Sequence, residues 1–344
     1  GSFSEGLAMI PAMEAKLKEI ELYLDSHRIL VFYYKIACLY FGAGKPAKAI
    51  DYLNRIINWK LNLRDDLQCY ARLLHLIAHY EMGNTEVVNY LSKSVYRFMY
   101  KMKSLSTVEE VMFNFLRKSI QNGGEENSLL NSKAAIKKSF TVLLETLQPL
   151  TTNKLESRAF MYLDIISWLE SKIQGKQVQA IIKEKFLARI PAIQPIKNED
   201  LTRMASGYGY RSDPFTKIRK FHYGMDFTAP RGTPIYASGD GIIKRADSRA
   251  SGYGRHIRID HGYGYVSLYA HLYKYNVEIG QKVKRGDLIG YVGSSGRSQA
   301  PHLHYEVFID KKRINPVNFY YGNLSTEEFN RLLSIASLEN QSLD

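Results

Sequence analysis

The residues able to do chemistry crowd into the last third of the chain, as His222-Tyr-Gly-Met-Asp226, Tyr269-Ala-His271 and Pro301-His302-Leu303-His304-Tyr305-Glu306. Imidazoles and carboxylates are ligands for zinc. A structural zinc site closes with four protein ligands, often thiolates, whereas a catalytic site uses three and keeps one position open. Two imidazoles and one carboxylate from this set suffice for three ligands and leave two further histidines for proton transfer. In a strand, residues i and i+2 share a face, so His302 and His304 aim at one site while Leu303 points to the opposite layer. Asp226 follows His222 by four residues through a glycine that permits a bend. His271 ends the strand-like run Val266 to Ala270 and can reach the same cleft.

Two kinds of pattern must position these groups. Residues 1–187 read as helices throughout, with apolar residues three and four apart, for example Leu67, Tyr70, Leu74 and Ile77. Ala37-Cys-Leu-Tyr40 and Gly44 precede Ala49-Ile-Asp-Tyr52-Leu53, and Ala78-His-Tyr80 and Gly83 precede Val88-Asn-Tyr90-Leu91. The pairs Tyr52-Leu53 and Tyr90-Leu91 are 38 residues apart, and the helix, glycine turn and helix resemble tetratricopeptide repeats over about residues 30–100. That resemblance implies a helical solenoid with a face for a protein partner; a plain helical bundle is the alternative. Residues 104–187 continue as helices around a polar loop from Gln121 to Asn131.

The pattern changes at Ala188-Arg-Ile-Pro191-Ala-Ile-Gln-Pro195, where two prolines stop the helix and suggest an extended connector. Beyond it, short runs of period two stand between glycines: Gly241 to Ala246, Arg255 to Asp260, Tyr265 to Ala270 and His304 to Ile309. These predict a mostly antiparallel β domain, closed by a helix from Thr326 to Ser337. The expected order is a helical repeat domain at 1–187, a connector at 188–200, a β-rich domain at 201–325, and a helix and tail at 326–344.

At 344 residues the chain has room for two cores. Its formal charge of +13 is spread as +6 over residues 1–187 and +7 over 188–344. A basic surface suits an acidic polymer, but no run of like charge marks a nucleic-acid arm, so no nucleic-acid partner is expected. Cys38 and Cys69 lie in helix-like stretches and form no Cys-x-x-Cys pair, which disfavours a disulfide framework and a thiolate zinc site. The most apolar run, Ile29 to Ala43, is short for a membrane span and contains Lys35. Gly1-Ser2 reads as a tag-cleavage scar.

Residues 191–322 resemble the LytM/lysostaphin-type zinc metallopeptidases, which cut peptide cross-links of bacterial cell walls. The resemblance runs through Phe221 to Pro230, Gly232-Thr-Pro-Ile-Tyr-Ala, Gly239-Asp-Gly241, Gly262 to Leu272, Gly280 to Gly290 and Gly293 to Glu306. It implies that His222, Asp226 and His304 bind one Zn2+ and that His271 and His302 flank the catalytic water. It further implies peptidoglycan peptides as substrate and a periplasmic or cell-envelope location, although tetratricopeptide-like domains are often cytoplasmic. Ala300 departs from the family's usual glycine before the Pro-His pair, without removing a ligand. Glu306, two residues beyond His304, is placed either as an acceptor behind a ligand or in a salt bridge.

Other residues are read as structural. His75 and His79 are spaced i, i+4 on an apolar helix without the glutamate of a His-Glu-x-x-His site, so they are expected to pack. His256 and His261 are expected on the surface. Tyr208, Tyr210, Tyr223 and Tyr305 are candidates for lining a substrate groove. Two readings compete with an active peptidase: a non-catalytic LytM-like regulator or adaptor of wall enzymes, and an engineered fusion, since no Gly/Ser-rich linker marks the join near Phe186 to Pro191.

Overall fold

The computed structural model describes residues 3–20, 23–59, 65–101, 106–123, 133–153, 156–198, 202–248, 252–322, 324–338 and 343. Gly1-Ser2 and most of the stretch from Gln121 to Asn131 lie outside them. The chain divides into two compact units, Gly1–Lys183 and Glu184–Asp344.

The first unit is all-α: α1 (Phe3–Ile20), α2 (Ser26–Gly42), α3 (Pro46–Ile57), α4 (Asp65–Glu81), α5 (Thr85–Lys101), α6 (Thr107–Gly123), α7 (Lys133–Leu147), α8 (Ser157–Tyr162), α9 (Ile165–Gln174) and α10 (Val178–Arg189), the last running past the unit boundary. Asp25 caps α2 by accepting a bond from His27 N, and Asp164 caps α9 through Ser167 N. Nearly every residue from Leu67 to Ala78 is buried, so α4 is the helix the others pack around. His75 and His79 meet edge to face at 4.6 Å, and burial drives the His75 imidazole down to about 4, as expected of a packing residue.

A helix pair does recur, with a period of 39 rather than 38 residues. Ser26 and Asp65, Pro46 and Thr85, and the left-handed glycines Gly44 and Gly83 are each separated by that interval. Ala49, Leu53 and Ile56 correspond to the buried Val88, Ser92 and Val95. The one-residue difference arises because Tyr52 is 6% exposed whereas Tyr90 is 77% exposed, so the two tyrosines occupy different faces.

The second unit is antiparallel β. Its strands are β1 (Met204–Ser206), β2 (Gly209–Ser212), β3 (Arg219–His222), β4 (Met225–Thr228), β5 (Pro234–Tyr236), β6 (Gly241–Asp247), β7 (His256–Gly262), β8 (Tyr265–Ala270), β9 (Leu272–Tyr275), β10 (Lys282–Val283), β11 (Leu288–Val292), β12 (His302–Ile309) and β13 (Lys312–Ile314). The main sheet has the order β1-β4-β12-β8-β7-β6-β10, with β13 also on β12; β5-β11-β9 and the hairpin β2-β3 complete the strands. Helix α11 (Thr326–Ser337) follows, begun by a capping box between Ser325 and Glu328. The segment read as a connector is packed: Ile190, Ala192 and Ile196 join the core of this unit, and Tyr236 N donates to Pro195 O.

Strand β12 sits between β4 and β8, and its alternation divides the molecule's work. Leu303, Tyr305 and Val307 point into the core beside Met225, Phe227 and Tyr269, while His302, His304 and Glu306 face the other way. Tyr305 therefore does not line a groove. It is fully buried and its hydroxyl donates to Ser238 Oγ at 2.8 Å.

His256 and His261 are also buried rather than superficial, because each finds acceptors inside the sheet. His261 Nδ1 donates to Asp240 O at 2.8 Å, leaving Nε2 to accept from Ser267 Oγ at 2.7 Å. Burial lowers this imidazole to about 4. The unfolded chain, with a histidine near 6.5, binds the proton more readily, so the stabilisation is complete above about pH 6.5 and is lost as pH falls towards 4. The shift corresponds to on the order of 3 kcal/mol. Denaturant unfolding of the wild type should weaken across that window, with a shallower acid limb in His261→Gln; identical limbs would refute this role.

Candidate metal centre

One row across the main sheet assembles the site. Ser206 pairs with Asp226, Asp226 with His304, and His304 with Ala270, the residue before His271. The hairpin β2-β3 supplies His222, paired with Gly209. Between His222 and Asp226 the chain turns at Gly224, where a Cβ would stand 2.6 Å from Tyr305 O and 2.8 Å from His304 Cε1. Only glycine lets the turn press so closely against β12.

The three donors form a nearly equilateral triangle. His222 Nε2 and His304 Nδ1 lie 3.1 and 3.0 Å from Asp226 Oδ1, and 3.1 Å from each other. All three residues are buried. Donors around a tetrahedral zinc at about 2.0–2.1 Å would be roughly 3.3 Å apart, so the spacing suits that ion.

Hydrogen bonding behind the donors makes the stronger test. His222 Nδ1 lies 2.8 Å from Gly207 O and must donate to it, which leaves Nε2 as a lone pair in the neutral ring. His304 Nε2 lies 3.1 Å from Glu306 Oε1 and donates there, leaving Nδ1 as a lone pair. Two nitrogen lone pairs and a carboxylate oxygen thus face one point out of water. Such an arrangement calls for a cation, and two imidazoles with one carboxylate suit zinc better than the oxygen-seeking calcium or magnesium. The backbone of Leu343 also reaches the site, its N–H donating to Asp226 Oδ2 at 3.1 Å.

His271 and His302 complete the group of five. Their rings stand 4.7 Å apart, His302 Nε2 is 3.9 Å from Asp226 Oδ1, and the His271 ring is 5.9 Å from that of His304. His271 occupies the left-handed region at φ 60°. Its Nδ1 donates to Ser295 O at 2.7 Å, and His302 Nδ1 donates to Ala300 O at 2.8 Å. The replacement of glycine by alanine at 300 leaves that bond intact, since a backbone carbonyl makes it.

Glu306 takes both of its anticipated roles at once. It accepts from His304 and from Tyr253 Oη at 2.6 Å, and pairs with Arg313 Nε at 2.8 Å. Burial tends to raise its carboxyl, yet the bonds from His304, Tyr253 and Arg313 lower it below the ordinary glutamate value. Tyr253 carried no signal in the sequence because Glu306 lies 53 residues further on, and Arg313 carried none because it meets Glu306 only when β12 and β13 pair. A cavity of about 270 Å³ opens beside the triangle, lined by Tyr223, Tyr253, His222, His304, Glu306 and Arg297. Tyr208 and Tyr210 both pack against Phe221, whose ring stands 4.9 Å from that of Tyr223.

The second unit thus joins an antiparallel sheet to a buried His-Asp-His group able to hold a metal ion. The C-terminal region carries a domain of peptidase family M23, matched over residues 220–316. The chain is similar to the DD-carboxypeptidase/endopeptidase Mpg of Neisseria meningitidis, 45% identical over 117 residues, which are 34% of this chain and 27% of that protein. It is also similar to the peptidoglycan DD-endopeptidase ShyA of Vibrio cholerae, 43% identical over 33% of this chain and 26% of that one. The catalytic domain of lysostaphin from Staphylococcus simulans is 35% identical, over 35% of this chain and 93% of that one, with a TM-score of 0.32. The chain spans only about a quarter of the length of the first two.

If Glu306 fixes the tautomer of His304, Glu306→Ala should weaken zinc binding about tenfold to hundredfold in a competitive chelator titration. A dissociation constant within twofold of the wild type would remove that role.

Proposed function

We propose that the second unit is a zinc endopeptidase that hydrolyses stem peptides or cross-links of bacterial peptidoglycan. His222, Asp226 and His304 are its metal ligands, and His271 and His302 its proton-transfer groups. The observation that carries this reading is the triangle of donors with two further imidazoles beside it. Three protein ligands rather than four are what a catalytic zinc site requires.

When bound, zinc supplies Lewis acidity, which polarises a peptide carbonyl and acidifies water. The chain's own groups do the rest. Both His271 and His302 commit Nδ1–H to backbone carbonyls, so each has Nε2 as the acceptor nitrogen. An imidazole held in this way can take a proton from the attacking water and return it to the leaving amine. Tyr223 and Tyr253, at the cavity wall, offer apolar ring faces to a peptide laid across the cleft.

The similarity to a peptidoglycan DD-endopeptidase supports the substrate, and that substrate favours the periplasm or envelope as the unit's location. No described helix is long and apolar enough to cross a membrane. For the helical unit we propose a protein-binding role, supported by the recurring helix pair and by the exposed Tyr90 and Tyr100 on α5. Tyr90→Ser with Tyr100→Ser in the full chain should lower retention of envelope proteins in a pull-down, and unchanged retention would count against it.

Zinc content and muropeptide release test the enzyme directly. His304→Ala should lose both. His271→Ala and His302→Ala should keep their zinc while release falls about 10²–10⁴-fold. Equal release by His304→Ala and the wild type would exclude the zinc mechanism, and a zinc-loaded wild type that binds muropeptides without cutting them would establish the regulator reading instead.

A further inference from the structure

We propose that Asp213 and Arg297 form a latch that positions His302 for proton transfer, an inference that rests on the peptidase reading of the site. Both residues line the cavity. Asp213 begins the turn between β2 and β3, and Arg297 lies in the loop between β11 and β12.

Three contacts join this turn and this loop. Arg297 Nη2 donates to Asp213 Oδ2 at 2.6 Å, the Arg297 guanidinium stands 4.8 Å from the centre of the Phe215 ring, and Gln299 Nε2 donates to Pro214 O at 3.1 Å. The turn itself is built to hold its half rigid. Asp213 Oδ1 accepts from the N–H groups of Phe215 and Thr216 at 3.0 and 2.7 Å, and Lys220 Nζ reaches Oδ2 at 2.9 Å. The Asp213 side chain is only 3% exposed. Burial works to raise its carboxyl, but the bonds from Thr216, Lys220 and Arg297 hold it far below the usual carboxylate range, so it stays an anion. An ion pair at a sheltered carboxylate, reinforced by a stacked ring, is stronger than an exposed surface pair.

What the latch holds gives it a role. The loop carrying Arg297 also carries the acceptors of both proton-transfer imidazoles. Ala300 O and Ser298 Oγ lie 2.8 and 3.2 Å from His302 Nδ1, and Ser298 Oγ in turn donates to Ala300 O at 2.9 Å. Ser295 O receives His271 Nδ1 at 2.7 Å. The Ser295 end of the loop has anchors of its own: Ser295 Oγ donates to Leu272 O and accepts from Arg255 N, both at 2.9 Å, and Arg297 N donates to Gly252 O at 2.9 Å. The Ser298–Ala300 end is held by Ser294 Oγ, 3.0 Å from Ser298 Oγ, by Gln299 N donating to Leu343 O at 3.1 Å, and by the latch, which alone ties it to the β2-β3 turn. Losing Arg297 therefore loosens the acceptors of His302 while those of His271 stay in place. Pinning one turn to the other fixes the tautomer that leaves His302 Nε2 as the acceptor.

The test uses Arg297→Gln in the full zinc-loaded chain, because Arg297 is partly exposed and its loss leaves the buried Asp213 still paired with Lys220. Nitrogen-15 spectra of the histidine side chains should show His302 change from one tautomer to a mixture, with His271 as in the wild type. On a muropeptide, kcat should fall tenfold or more with KM within about twofold, zinc content should be unchanged, and Arg297→Lys should recover most of the rate. Wild-type His302 spectra in Arg297→Gln, or an equal change at His271, would overturn the latch. The spectra judge it even if the wild type cuts no muropeptide, an outcome that would instead remove the peptidase reading.

Discussion

Everything in the second unit turns on a single electrostatic demand: three electron-rich atoms, from His222, Asp226 and His304, converge within 3.0–3.1 Å where water is excluded. Left to themselves they would repel. The hydrogen bonds behind them, to Gly207 O and Glu306, prevent either ring from relieving that repulsion by turning its own N–H inward. The fold is thereby committed to a cation, and zinc answers the donor set and its spacing. Stability and function pull in opposite directions here, since a packed apolar patch would be cheaper to bury than this cluster.

The sheet makes that commitment possible by using one strand for two purposes. Alternation along β12 sends Leu303, Tyr305 and Val307 into the core and His302, His304 and Glu306 to the site. The core side fixes the register, and the register sets Asp226 opposite His304. A slip by one residue would bury His302 and His304 in the core and expose the tyrosine. The tight turn at Gly224 and the hairpin carrying His222 then close the triangle from the side.

Much of this was legible in the residues themselves. His-x-His on a strand announces a shared face, and the strand Tyr265–Ala270 and the helix Thr326–Ser337 fall where the sequence predicts them. The helical half and the antiparallel half separate cleanly by pattern. What stayed hidden depends on contacts that only the folded chain makes. Tyr253 and Arg313 matter only because folding brings them to Glu306, and nothing in their local sequence shows it. His256 and His261 lie at strand ends, where exposure is the natural expectation, yet acceptors at Gly254 O and Asp240 O let them be buried. The helical repeat was misaligned by one residue because Tyr-Leu recurs by composition while burial follows Ala49 and Val88.

The most direct measurement is anomalous diffraction at the zinc edge from crystals of the zinc-loaded chain. The account predicts a single peak within about 2.0–2.2 Å of His222 Nε2, an Asp226 carboxylate oxygen and His304 Nδ1, with no thiolate nearby. A peak bound instead through His271 or His302, or through His304 Nε2, would contradict it.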